Sequence, residues 1–173
     1  MLLRAALFSL TCALFVAAAI STQQETFRVD LLAEKEWKGD GWSYKDCSLE
    51  TDLVQLTSVS MTPEPPKAGQ NQTVAVKANI LNVIEEGAYA VVEVKFGVIR
   101  ILNRTFDICD EARRANASIQ CPVLPGYYEI EQTVALPRGI PPSKFKASIR
   151  GYSVLDEDLL CGVATVDFSP FRH

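Results

Sequence analysis

Histidine occurs once in the 173 residues, at His173. That scarcity removes most hydrolytic and metal chemistry. A Ser-His-Asp or Cys-His arrangement would need the last residue folded back into a site, and zinc would need several His or free Cys ligands. A glycine-rich phosphate loop is also missing. Basic residues are outnumbered, 17 Lys and Arg against 21 Asp and Glu, for a net charge of −4. They form no cluster along the chain, which argues against nucleic acid as a partner, since phosphate binding needs a concentrated basic face. Asp156-Glu157-Asp158 is an acidic run without further oxygen ligands at regular spacing. It lies between apolar segments and reads as a solvated turn, not as a calcium loop or a carboxylate pair. Metal, cofactor and catalytic function are therefore not expected.

One long apolar run is present, Ala5 to Ala19, preceded by Arg4 and ending in Ala17-Ala18-Ala19. At about 15 residues it falls short of the roughly 20 that cross a bilayer and has the charge, length and A-x-A site of a secretory signal. Residues 1–20 are accordingly expected to be removed, and Cys12 leaves with them. Of five cysteines, Cys47, Cys109, Cys121 and Cys161 remain, an even set that in an exported chain reads as two disulfides. Secretion, or delivery to a secretory or vacuolar lumen, follows as an expectation. The sequons at Asn71, Asn103 and Asn116 are then glycosylation sites on the surface. Residues 21–37, polar and mixed, are a flexible lead-in or a removable propeptide. Residues 38–170 suit one domain.

That domain is strand after strand. Leu53 to Met61 shifts its apolar phase from Val54/Leu56 to Val59/Met61, which predicts a β-bulge. Pro63, Pro65 and Pro66 impose an extended loop. Thr73 to Ile84 alternates Val74, Val76, Ala78 and Ile80 with polar residues, and Val92, Val94, Phe96 and Val98 repeat the pattern after Glu85-Glu86-Gly87. The two segments are expected to pair as a hairpin with one dry face. Tyr128, Ile130, Val134 and Leu136 share a phase, as do Phe145, Ala147 and Ile149, and a last strand runs from about Leu159 to Phe168. Only Asp110 to Ala117 has helical composition. About seven strands with turns between them predict an all-β, immunoglobulin-like two-sheet sandwich.

Small residues recur at inward positions: Ala78, Ala147, Gly151, Gly162 and Ala164. They imply either a hollow between the sheets or space filled by Phe96, Phe145 and Tyr128, and strand phase leaves both open. A solid core would suit a secreted recognition module binding protein or glycan, with Ala78, Gly151 and Gly162 packed against bulky neighbours.

Several strings occur in a telling order: Trp42-Ser-Tyr-Lys-Asp-Cys47, Pro65-Pro-Lys-Ala-Gly-Gln70, Glu86-Gly-Ala-Tyr-Ala90, Phe106-Asp-Ile-Cys109, Ser118-Ile-Gln-Cys-Pro122, Leu159-Leu-Cys161 and Val166-Asp-Phe168. With them the chain resembles the ML-domain lipid-recognition family, and within it the branch of fungal phosphatidylglycerol/phosphatidylinositol transfer proteins. The sterol-carrying branch shares the Lys-Asp-Cys start and the Cys-Pro bridge but has an extra early cysteine pair that this sequence lacks. The resemblance implies the pairings Cys47–Cys161 and Cys109–Cys121. It further implies an apolar cavity between the sheets lined by Val74, Val76, Ala78, Val92, Val94, Phe96, Ile149 and Val166, with Ile101, Phe106 and Ile140 at its mouth. The implied partners are one phospholipid, or alternatively a sterol, and a membrane touched transiently by a monomer, since no polybasic segment is visible. Arg100, Arg104, Arg138 and Lys144 stand either as phosphate contacts or as solvated charges.

Overall fold

Period-two alternation, with valine and isoleucine on one side and lysine, glutamate and threonine on the other, favours strands that bury one face only. A computed structural model describes residues 35–170 and contains nine such strands. In chain order they are β1 (Glu36–Gly39), β2 (Trp42–Asp46), β3 (Val54–Thr62), β4 (Asn71–Ile80), β5 (Tyr89–Phe96), β6 (Ile99–Asp107), β7 (Gly126–Ala135), β8 (Lys144–Tyr152) and β9 (Asp158–Asp167). The helix α1 (Ile108–Arg114) lies between β6 and β7. Six strands form one antiparallel sheet in the order β1-β2-β9-β8-β5-β6, and three form a smaller sheet, β3-β4-β7. The expected all-β two-sheet sandwich is what the chain adopts.

The bulge in β3 falls where the apolar phase breaks. Leu56 pairs with Ala78, the register then steps, and Val59 and Met61 return to the inner face opposite Val76 and Val74. Without the extra residue Val59 and Met61 would point to solvent.

The expected hairpin between the fourth and fifth strands is not formed. β4 pairs with β3 and β7, while β5 pairs with β6 and β8. The connection between them crosses from one sheet to the other, pinned by a bridge from Ile84 to Val123 and by Ala88, which has no solvent exposure. Both strands turn their apolar faces into the same inter-sheet space, so identical alternation cannot report which sheet each belongs to. The sequence boundary at residue 37 also moves. Glu36 and Trp37, assigned to the lead-in, pair with Lys45 and Tyr44 and belong to the large sheet. The rest of the lead-in up to residue 34, and the signal segment, lie outside the described residues.

Helix α1 starts two residues earlier than composition predicts because Asp107 caps it, its side chain accepting from the Asp110 amide at 2.8 Å. Acidic residues in the first turn and basic residues in the last suit the helix dipole. Cys109 on this helix is fully buried and bonded to Cys121. Cys47, just past β2, is bonded to Cys161 on β9 across 114 residues of chain. A closure of that length is worth on the order of 4–5 kcal/mol through the entropy of the unfolded chain. Two such bonds suit an oxidising, secretory environment.

Burial is uneven. Val54, Leu56, Val59 and Leu159 are buried where β3 lies against β2 and β9. At the other side of the sandwich every residue of β5 is only half-buried, and β6 and the far end of β7 are largely exposed.

Candidate functional site: an apolar cavity between the sheets

Strand register places the inner rows of the large sheet. Phe96, Phe145, Val166 and Trp42 form one row, and Val94, Ala147, Ala164 and Tyr44 form the next. Facing them on the small sheet are Met61 beside Val74 and Val59 beside Val76. Between these rows lies a cavity of about 340 Å³, within the range of roughly 300–1,000 Å³ typical of small-molecule sites. Trp42 and Tyr44 of β2 form one wall with Leu160, Ala164 and Val166 of β9. Leu56, Val59, Met61, Val74 and Val76 form the other, and Ile149 of β8 adds to the large-sheet side. Side-chain hydroxyls among the lining residues come only from Ser43, Tyr44 and Thr165.

Tyr44 reaches diagonally across the large sheet, so that its hydroxyl lies over the backbone of Gly162, in the space where a Cβ would stand. Only glycine permits that approach. Burial pushes the phenol up to about 12, and the neighbouring Asp46 carboxylate pushes in the same direction. The hydroxyl therefore stays protonated, a neutral donor at the edge of an apolar space, and it makes no hydrogen bond among the described residues.

At one end of the cavity a loop is fastened to β2. The Trp42 indole Nε1 donates to Glu64 Oε1 at 2.7 Å, and the Asp40 amide donates to Glu64 Oε2 at 3.1 Å. The missing side chain of Gly39 leaves the room that carboxylate occupies. These bonds, the indole one first, hold the Glu64 carboxyl below its ordinary value. Glu64 sits in the proline-rich loop of residues 63–70, which is thereby fastened to the first residue of β2.

The structure brings Val74, Val76, Ile149 and Val166 into the cavity wall. The other residues singled out as lining stand elsewhere. Ala78, at 4 % exposure, is packed in the core under Leu56, and Val92, Val94 and Phe96 continue the inner face of the large sheet beyond the cavity, half-buried. The supposed mouth is also divided. Ile101 lies on β6 near its turn with β5, and Ile140 lies in the 136–143 connection at the same end of the sandwich. Phe106 sits at the opposite end of β6, in a polar recess with Arg104, Asp107, Asp110, Glu111 and Arg114.

Two of the small residues are covered by bulky neighbours, as the filled alternative expected at those positions. Gly151 is covered by Leu160, whose Cγ would stand 3.3 Å from an added Cβ, and Gly162 is covered by Tyr44. The hollow lies instead over Ala164, Val166 and Ile149. Trp42, Tyr44, Leu56, Val59, Met61 and Leu160 complete the wall and were not singled out from sequence. The alternation of Trp42, Tyr44 and Asp46, and of Val59 and Met61 past the bulge, carried the signal. Among the described residues no group of His, Cys, Asp or Glu is arranged to hold a metal ion, and no helix is long and apolar enough to cross a membrane.

Asn71 lies at the start of β4 in the phase opposite to the inward Gln72, Asn103 on β6 pairs with Glu93 on the outer face of the large sheet, and Asn116 follows α1 in a left-handed conformation. Asn71, Asn103 and Asn116 are exposed.

The model of the ML domain matches residues 41–168. A phosphatidylglycerol/phosphatidylinositol transfer protein of Cryptococcus neoformans var. neoformans serotype D is 54 % identical over 129 residues, covering 75 % of this chain and 72 % of that protein. A protein of the same name from Mycosarcoma maydis is 42 % identical over 146 residues, covering 84 % of this chain and 75 % of its own. Among solved structures, chicken MD-1 complexed with lipid IVa shares the fold with a TM-score of 0.52 at 15 % identity, over 78 % of this chain and 97 % of that one. A Niemann-Pick type C2 protein from Japanese carpenter ant does so with a TM-score of 0.50 at 14 % identity, over 72 % and 97 %. On the extent of the family match and the identity to these fungal relatives, the chain belongs to the ML domain family.

Proposed function

We propose that this protein is a secreted lipid carrier that holds one phospholipid of the phosphatidylglycerol or phosphatidylinositol type between its sheets and moves it between membranes without covalent chemistry. The observation that carries this reading is the apolar cavity walled by both sheets. The names of the fungal relatives supply the lipid class.

The physical task is solvation. A phospholipid with two common acyl chains has roughly 30 methylenes, and exposing them to water costs on the order of 24 kcal/mol at about 0.8 kcal/mol each. A cavity of about 340 Å³ has room for on the order of ten groups the size of a water molecule, at about 30 Å³ apiece. It therefore shelters part of one chain as it stands. The remainder would lie along the half-buried inner faces of β5 and β7, where Val92, Val94, Phe96, Tyr128 and Ile130 supply apolar surface between the loosely closed edges. Tyr44 would donate its hydroxyl to an ester or hydroxyl oxygen of the bound lipid.

The compact volume favours a second reading, a sterol or a single-chain ligand in the same cavity. Native mass spectrometry of the deglycosylated protein, followed by extraction and identification of what is released, separates them. A phospholipid near one-to-one supports the first, and a sterol supports the second. Bare protein that takes up neither fluorescent phospholipid nor fluorescent sterol removes both, and leaves a recognition module of the same fold. Behaviour as a monomer in solution and release into the secretory lumen belong to the same proposal.

A further inference from the structure

The two ends of the sandwich differ in chemistry. At one end lie the turn from β5 to β6, the 63–70 loop and the 136–143 connection. These are held together by Phe96 pairing with Phe145, by the amide of Gly69 donating to the Pro137 carbonyl, and by the Leu136 amide donating to the Gln70 carbonyl. The cavity-lining residues Trp42, Met61, Val74 and Val166 sit nearest this end. It exposes large apolar side chains: Val98 is 97 % accessible, followed by Ile99 at 59 % and Ile101 at 56 %, with Val134 of β7 at 46 % across the gap between the sheets. Around them stand Lys67, Lys95, Arg100, Arg138, Lys144 and Lys146. Lys95 and Arg100 share Glu93, and Lys144 is 3.9 Å from Asp167, whereas Lys67, Arg138 and Lys146 make no ion pair among the described residues.

The opposite end carries Glu85, Glu86, Asp110, Glu111, Asp156 and Glu157 on its loops and helix, of which Glu86 and Asp110 pair with Arg113 and Glu111 with Arg114. It too exposes a large apolar side chain, Leu155 at 76 %, but beside the acidic run. Basic groups thus outnumber the acidic ones (Asp40, Glu64, Glu93 and Asp167) round the apolar tip, and acidic groups outnumber Arg104, Arg113 and Arg114 at the far end.

We infer that the β5–β6 turn and its basic surround form the face that docks on an anionic lipid bilayer, with Val98 and Ile99 entering the interface and Lys67, Arg138 and Lys146 meeting lipid phosphates. This deepens the carrier reading and rests on it. The physics is that of interfacial anchoring: apolar side chains enter the headgroup boundary, while each nearby Lys or Arg gains about 1 kcal/mol from an anionic surface. The acidic far end is repelled by the same surface, which orients the molecule with its cavity end down. The basic residues come from four separate segments, so no polybasic stretch shows in the sequence.

The test is flotation of the secreted protein with phosphatidylcholine vesicles, with and without phosphatidylglycerol, read beside transfer of a fluorescent phospholipid and the lipid content of the purified protein. The wild type should float only with anionic vesicles, and less so as salt is raised. Val98→Asp should weaken flotation about tenfold, the worth of one buried apolar side chain. Charge reversal at Lys146 should weaken it at least fivefold. Leu155→Asp, also solvent-facing but at the acidic end, should change nothing, and neither exposed position should alter thermal unfolding. Flotation that ignores phosphatidylglycerol, a Val98→Asp protein that floats like the wild type, a Leu155→Asp protein equally impaired, or a dimer that Val98→Asp dissolves would each overturn the inference. Flotation that depends on Val98 without any lipid carried or transferred would leave the docking face standing and remove the carrier reading.

Discussion

The two long edges of this sandwich are built from the same residue types and behave differently. Where β3 meets β2 and β9, Val54, Leu56, Val59 and Leu159 are buried, and Cys47–Cys161 staples the edge. Where β7 faces β5 and β6, valines and aromatics are half-exposed, and Cys109–Cys121 closes only a 12-residue stretch of the connection from β6 to β7. A sandwich that buried both edges equally would be more stable and would have nowhere to put a ligand. Apolar surface left half-buried at one edge is a loss of folding energy that a greasy ligand can return on binding.

The sharpest way to break the comparison is to remove the staple. Replacing Cys47 and Cys161 together with serine should cost on the order of 4–5 kcal/mol from the entropy of a closure spanning 114 residues, measured as a lowered urea midpoint. A loss below about 1 kcal/mol would mean that the closed edge stands without its disulfide. Next in size, Leu159→Ala at 1 % exposure should cost about 3 kcal/mol, whereas Val94→Ala on the half-buried β5 should cost roughly 1 kcal/mol or less and show mainly as weaker lipid uptake. Equal losses in the two variants would erase the distinction between the edges. A third variant, Val76→Trp, fills the cavity from the small sheet. Uptake of a fluorescent lipid should fall at least tenfold with the unfolding midpoint nearly unchanged, because a side chain added to a pre-existing hollow need not displace its neighbours.

The smallest expected effect concerns acid. The Glu64 carboxyl is held below its ordinary value of 4.5 by the Trp42 indole and the Asp40 amide. A lowered carboxyl contributes stability that is fully present above the ordinary value and lost as pH falls through the lowered one. Trp42 fluorescence should therefore change as the solution is acidified below the ordinary carboxyl value, and Glu64→Gln should flatten that response. An identical acid transition in the variant would show that another group releases the loop.

Much of the strand layout was legible because period-two alternation is a local property. The β3 bulge could be placed to within a residue from Val54/Leu56 giving way to Val59/Met61. Sheet membership was not legible, since β4 and β5 alternate alike and face the same space from opposite sides. The edge strand β6 escaped notice because Arg100 to Phe106 mixes charges with apolar residues on both faces, as an exposed edge allows. The cavity wall was half legible. Val74, Val76, Ile149 and Val166 sit in uniform alternating runs, whereas Trp42 and Tyr44 stand beside charged and cysteine residues that drew attention to the disulfide. Gly162 reads as empty space in the sequence, and Tyr44 fills that space in the fold.

Most of the longer strands, their buried faces and the family are legible in the sequence. Backbone geometry and transfer of apolar surface from water act through neighbours a few residues apart, and family strings need only order and spacing. Tertiary structure alone decided which strands share a sheet, which edge closes, where the hollow lies and which end gathers the positive charge. Each of these depends on residues far apart in the chain, such as Cys47 and Cys161 or Lys67 and Lys146, whose meeting is fixed only when the whole set of strands has packed.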